Sequence, residues 1–287
     1  MTELLIDGER VAGAGAPIEV ENPYTEETIA TVGSASPEQL DAAVAAARAA
    51  SGAWGRMPAG ERCELLHEVA RRLRESQTEL AVLITAEGGK PLVENRDEID
   101  WSAGAFGYYA EIGRDSAGRV IPPIETTQLA LVVKDPLGVV GCIVPWNYPL
   151  LLLAWKVAPA LAVGNAVVCK PSELTPLSTL ALAPVFEHLP AGVVNLIAGA
   201  GDVGAALTAD ERVDCIAFTG SVATGKRVAV TWPSGSRGST SRWAARTPSL
   251  SAPISARPTS SRWQPAAVPG PPTSMRARCA PQPSAST

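Results

Sequence analysis

The chain has 287 residues, 46% of them hydrophobic, with a mean hydropathy of +0.10 and a formal net charge of −5. This is enough for one large or two modest globular cores, and no basic stripe precedes the C-terminal tail, so neither a nucleic-acid nor a membrane partner is expected. No window of 18 uninterrupted apolar residues occurs, and "MTELLIDGER" lacks the basic-then-apolar order of a secretory leader; a soluble, cytoplasmic protein is the expectation.

The five cysteines (Cys63, Cys142, Cys169, Cys215, Cys279) form no C-x-x-C pair, and His67 and His188 lie far apart in sequence. Neither a disulfide framework nor a metal site is expected, and both histidines read as surface residues.

In chain order, "LLIDGERV" places Asp7-Gly8 between apolar runs, a strong hairpin signal, and "IEVENPYTEETIATV" repeats the strand-turn-strand pattern. The period then becomes helical. Ser36 can cap a helix with Pro37 in its first turn and Gln39 at the capping-box position, and Leu40, Ala43, Val44 and Ala47 share one face. Further helices are predicted between Glu61 and Arg114, with Leu65, Val69 and Leu73 as one apolar stripe.

From "LALVVKDPLGVVGCIV" onward, strands alternate with helices: "GVVGCIV", "LLLLAWKVAPALAVG", "AVVCK", "LSTLALAPVFEHL", "GVVNLIA", "DVGAALTAD", "CIAFTG", "ATGKRVAV". Short apolar strands joined by helices predict an α/β fold with a doubly wound, Rossmann-like parallel sheet, preceded by a helical region and small β segments. Ligands in such sheets sit beyond the carboxyl ends of the strands. "PWN", "KPSE", "GAGDVG" and "TGS" all fall there.

Each corner has two readings. "GAGDVG" (Gly199 to Gly204) matches G-x-G-x-x-G, but it equally suits a tight turn with Asp202 capping the next helix, and no acidic residue follows at the usual offset of about 20. In "CKPSE", Glu173 could accept from two ribose hydroxyls while Lys170 donates; the alternative is a solvated turn with Ser172 near a helix start. "FTGSVATG" offers a helix N-terminus to an anion, or is an ordinary capped helix.

Taken together, "VPWNYP", "AWKVAPALAVGNAVVCKPSELTP", "GVVNLIAG" with "GDVG", and "IAFTGSVATGK", with "EGGKP" at Glu87 to Pro91, closely resemble the aldehyde dehydrogenase superfamily from about Leu5 to Val230. The resemblance implies that Asn147 donates to the oxyanion formed when a thiolate attacks an aldehyde, an electrostatic contribution of about 3 kcal/mol. It implies Lys170 and Glu173 as adenosine-ribose contacts and Ser221 as a pyrophosphate contact. Val144, Pro145, Trp146, Ser172, Gly204, Phe218, Thr219, Gly220 and Gly225 complete the expected cofactor cleft. A carboxylate at Glu173 would repel a 2′-phosphate, so NAD is expected over NADP. No metal is implied. The partners implied are a small-molecule aldehyde and further copies of the chain, in a homo-oligomer built through β segments near residues 4–32 and 127–138. The amino-terminal pattern is similar to relatives acting on betaine aldehyde or other amino aldehydes.

The family chemistry also uses a Cys nucleophile in a G-Q-x-C stretch, forming a thiohemiacetal and then a thioester, and a Glu base in an E-L-G-G stretch. Neither stretch occurs in the 287 residues. Cys142 and Cys169 read as strand residues, and Cys279 lies in "RARCAP".

After Thr231 the composition changes. Residues 232–287 hold seven Arg, ten Pro and twelve Ser without one Lys, Asp or Glu, so all 29 acids precede them. A disordered low-complexity tail is one expectation. A frame slip is the other: with permissible GC-rich codons, regrouping bases turns "TSRWAARTPSLSAPI" into a stretch containing L-E-M-G-G-K-D-P-F, and "SMRARCAPQPSAST" into N-A-G-Q-V-C-T-S-A-E-R-F-Y. These are the two absent motifs. The expected organisation is therefore a cofactor-binding domain over 1–231 and an out-of-frame tail over 232–287, the chain as written lacking turnover. The competing reading is a non-catalytic dinucleotide-binding or oligomerisation module. A tyrosine-lysine oxidoreductase is disfavoured because "YYAEIGR" lies outside the strand-helix alternation.

Overall fold

The computed structural model describes residues 2–122, 129–231 and, for the backbone alone, 244–246. The chain divides into a unit spanning Met1–Pro253 and a second, Ile254–Thr287, which lies wholly outside the described residues. Apart from the backbone of 244–246, which falls within the first regrouped stretch, the remainder of the tail, Cys279 and the regrouped motifs lie outside them too, as do positions 127 and 128 of the second β segment.

The first hairpin, β1 (Glu3–Ile6) and β2 (Glu9–Ala12), turns at Asp7 and Gly8 with φ of 52° and 80°. Two successive positive φ values match a type I′ turn, which Gly adopts without strain and Asp tolerates. β3 (Pro17–Asn22) and β4 (Glu27–Gly33) form a separate antiparallel pair. Helix α1 (Pro37–Arg56) starts with the predicted capping box: Ser36 Oγ accepts from Gln39 N (3.3 Å) and Gln39 Oε1 accepts from Ser36 N (3.1 Å).

Three helices follow, α2 (Ala59–Glu75), α3 (Gln77–Gly88) and α4 (Leu92–Arg114). The buried stripe of α2 runs through Cys63, Leu66, Val69, Ala70 and Leu73, so Leu65, expected in one stripe with Val69 and Leu73, lies at its margin. A two-stranded pair, β5 (Arg119–Ile121) and β6 (Ala130–Val132), exposes Val120, Ile121, Leu131 and Val132.

The main sheet takes β7 (Val139–Ile143), β8 (Ala166–Lys170), β9 (Val194–Leu196) and β10 (Cys215–Thr219), all parallel, with helices α5 (Pro149–Ala162), α6 (Pro176–Leu180), α7 (Ala183–Phe186), α8 (Gly201–Ala209) and α9 (Val222–Thr231) between and after them. Ala166 to Cys169 are fully buried, as strands covered on both faces require. A further strand, β11 (Ala244–Arg246), pairs in parallel with β10. The sheet order is β11-β10-β7-β8-β9-β1-β2.

Two expectations are corrected. The sheet is mixed, because β1 pairs antiparallel with β9 and carries β2 with it; the first hairpin extends the main sheet. "LSTLALAPVFEHL" is not one helix but α6 and α7, since Pro184 has no N–H for the Leu180 carbonyl and the chain turns at Ala181 and Leu182.

Among the described residues no helix is long and apolar enough to cross a membrane.

Candidate functional site

The chain runs β7, β8, β9 in one direction across the sheet and then returns to place β10 on the other side of β7. This switch point opens a crevice beyond the carboxyl ends of the strands. A cavity of about 750 Å³ lies there, lined by the segments after β7, β8 and β10 and by the first turns of α8. Val144, Pro145, Trp146, Lys170, Ser172, Glu173, Gly204, Phe218, Thr219, Gly220 and Ser221 all border it. Gly225 stands behind the wall, where a Cβ would meet the Phe218 ring at 3.4 Å. Asn147, half-buried, follows the lining residue Trp146 but does not border the cavity itself.

The β8 corner is built around a buried cation. Lys170 is 4% exposed, its Nζ donates to the Pro171 carbonyl (2.8 Å), and Glu173 Oε2 lies 3.9 Å away on a half-exposed side chain. Burial pushes the ammonium below its usual range, while Glu173 and Asp202 pull the other way. A Cβ on Gly204 would come within 3.2 Å of Lys170 Cε, so glycine lets α8 close on the lysine stem. Asp202 does not cap α8 as one reading of "GAGDVG" required; Ala200 occupies the cap position without a side-chain bond.

At the β10 corner, Ser221 Oγ accepts from Thr224 N (3.2 Å), so the serine does cap α9. A Cβ on Gly220 would lie 2.6 Å from Phe218 Cζ; the turn needs glycine because the ring sits beneath it. Lys156, the single charged residue of α5, reaches across to donate to Thr219 Oγ1. A lysine within an otherwise apolar helix was its sequence signal.

Residues 11–239 match the profile of the aldehyde dehydrogenase family. The chain belongs to that family. Curated relatives include betaine aldehyde dehydrogenase 1 of Oryza sativa subsp. japonica, 42% identical over 235 residues, covering 78% of this chain and 46% of that one. Betaine aldehyde dehydrogenase of Bacillus subtilis (strain 168) is 40% identical over 232 residues, covering 78% and 47%. The crystal structure of betaine aldehyde dehydrogenase from Staphylococcus aureus in complex with NAD+ superposes with a TM-score of 0.78 at 36% identity, covering 80% of this chain and 47% of that one. The chain thus spans about half the length of the relatives it matches.

In this family member, two buried glutamates from the helical layer hold the site corners, and motif reading assigned neither a role. Glu98 on α4 is fully buried; its Oε1 accepts from Leu150 N (2.9 Å) and Leu151 N (3.2 Å), the first turn of α5 directly after "PWNY". Its other oxygen pairs with Lys90, whose Nζ stands 3.7 Å over the Tyr148 ring. Glu87 does the same for α6 after "KPSELT": it accepts from Leu177 N (2.8 Å) and Ser178 N (2.9 Å). A carboxylate at a helix N-terminus satisfies free N–H groups and complements the helix dipole. The histidine expectation is also corrected: His188 is partly buried, donating from Nε2 to the Leu65 carbonyl (2.9 Å).

Burial lifts the Glu87 carboxyl from 4.5 to about 7, against the opposing pull of the Ser178 and Leu177 donors. A folded pKa above the unfolded one means that the folded chain holds this proton more tightly. The resulting stability is full below pH 4.5 and is lost as pH rises through 7. Relative to Glu87→Gln, the parent chain is expected to lose about 3 kcal/mol across that window, measured by denaturant midpoints at stepped pH. A pH-independent difference between the two proteins would show that the carboxyl is already ionised.

Proposed function

We propose that residues 1–231 hold the dinucleotide of an NAD-dependent aldehyde dehydrogenase, an oxidoreductase that converts an aldehyde to a carboxylic acid. The observation that carries this reading is the meeting, in one switch-point cavity, of the Lys170–Glu173 corner with the glycine turn at Gly220 and Ser221. The residues fit the group: Lys170 Nζ uses one of its three donors on Pro171, Glu173 has its carboxylate half in solvent, and Gly204 and Gly220 border the cavity beside them. NAD, when bound, supplies the hydride acceptor.

In this reading Lys170 and Glu173 grip the adenosine ribose, and Glu173 disfavours a 2′-phosphate. Ser221 and the first turn of α9 face the pyrophosphate, and Val144, Pro145 and Trp146 wall the nicotinamide end. Asn147 is the oxyanion donor, held at the start of α5 by Pro149 and Glu98. The relatives' names favour betaine aldehyde or an amino aldehyde as substrate. The apolar surface of β5 and β6 supports a homo-oligomer, and the compartment proposed is the cytoplasm.

The family profile ends at residue 239, close to the compositional break after Thr231. We infer that residues 232–287 are read out of frame and that the chain as written binds NAD without turning over aldehyde. Titration with NAD and NADP, followed by an aldehyde-dependent NADH assay with iodoacetamide as control, is expected to show NAD binding and no turnover. Iodoacetamide-sensitive turnover would overturn the inactive reading, and absence of NAD binding would overturn the cofactor-site reading. Resequencing across codon 231 separates a damaged dehydrogenase from a non-catalytic binding module.

A further inference from the structure

We propose that Cys63 and His67 of α2, with Glu111 of α4, form a binding site for a divalent ion of the zinc class. Cys63 and His67 are four residues apart and share one face of α2. Glu111 reaches them from the adjoining helix: its Oε1 lies 2.7 Å from His67 Nε2 and 3.7 Å from Cys63 Sγ, and the three ligand atoms fall within 4.8 Å of one another.

A tetrahedral zinc with sulfur at about 2.3 Å and nitrogen and oxygen at about 2.0 Å separates its ligands by roughly 3.3 to 3.6 Å. The sulfur-oxygen spacing is already close to that range. The nitrogen-oxygen pair must open by about half an ångström, which exposed His67 and Glu111 side chains allow. Cys63 is the buried, fixed vertex, and the imidazole faces Gly107, one turn before Glu111, where even an added Cβ would stay 4.0 Å from the ring and leave it room to move. Thiolate, imidazole and carboxylate together select zinc, cobalt or a similar borderline ion over calcium or magnesium. With three protein ligands on a half-open surface, the fourth position falls to water.

The cluster's other charged neighbour is Arg114, whose Nη1 is 3.6 Å from Glu111 Oε2. Without an ion, His67 and Arg114 share the glutamate. Ion binding displaces the exposed guanidinium. The Nε2 hydrogen that His67 shares with Glu111 is given up to buffer, or exchanged through solvent to Nδ1, to free the nitrogen lone pair. The Cys63 S–H bond breaks with its proton passing to buffer while metal-sulfur, metal-nitrogen and metal-oxygen bonds form; nothing is oxidised or reduced. No local pattern signals this site, because 48 residues separate Cys63 from Glu111.

The test is titration of the full 287-residue chain, carrying Cys279→Ser to remove the tail thiol, with Co2+ under reducing conditions. The expected result is a thiolate-to-cobalt charge-transfer band saturating at one ion per chain and bleached by Zn2+. Cys63→Ser should abolish the band. His67→Ala and Glu111→Gln, at exposed side chains that leave folding unaffected by circular dichroism, should each weaken cobalt binding at least tenfold. Absence of the band, its survival in Cys63→Ser, or unchanged affinity in both exposed-site variants would overturn the proposal.

Discussion

Glu98→Ala is expected to lower the thermal midpoint by roughly 10 °C. The substitution strips two N–H groups at the start of α5 of their acceptor and leaves Lys90, largely buried, without its ion-pair partner. Breaking a buried pair from one side costs about 3 to 5 kcal/mol, and each kcal/mol shifts the midpoint of a domain this size by about 2 to 4 °C. Lys90→Met with Glu98→Leu removes both charges and should recover part of the loss. The functional consequence lies at Tyr148, where Lys90 also stacks, and therefore at the segment bearing Asn147. Calorimetry of the three proteins is the measurement, and a drop under 2 °C in Glu98→Ala (well below the expected shift) would show that water replaces the carboxylate at no cost.

Lys170→Met is expected to weaken NAD binding about 10-fold to 100-fold, the loss of a charge-assisted hydrogen bond worth roughly 1.5 to 3 kcal/mol. Its effect on stability should run the other way. Burial disfavours the Lys170 ammonium, and the unbranched Met side chain fills the space under Gly204 without a charge to desolvate. A protein that melts no lower yet binds NAD poorly would locate this lysine's purpose in the ligand. Equal NAD affinity in parent and variant, by titration calorimetry, would remove the ribose corner from the proposed site. Glu173→Gln adds a direction: discrimination against NADP should shrink as the carboxylate charge is removed.

Where the causes are local, the residues were legible. The Asp7-Gly8 turn, the Ser36 and Gln39 cap and the alternation from Val139 to Thr231 each depend on backbone preferences or contacts within a few positions. The four strand-end corners were found for the same reason, since a strand's carboxyl end is marked by the glycines, prolines and caps that follow it. The mixed sheet was not legible: nothing in "ELLI" states that its partner is "VNL", nearly 190 residues on. Glu98 and Glu87 escaped for a related reason. They act on helices 52 and 90 residues away, and a glutamate on an amphipathic helix looks like solvated surface until its neighbours are known.

By itself the sequence determined the family, the alternation of strands and helices, the side chains offered at each strand end and the compositional break after Thr231. Only the tertiary structure decided that β10 returns beside β7 to open one crevice, that buried carboxylates tie α5 and α6 to the helical layer, and that a thiol, an imidazole and a carboxylate meet between α2 and α4. The physical reason is range: turn, cap and period preferences act within one or two turns of chain, whereas ion pairs, carboxylate caps and metal ligands depend on which surfaces packing brings together.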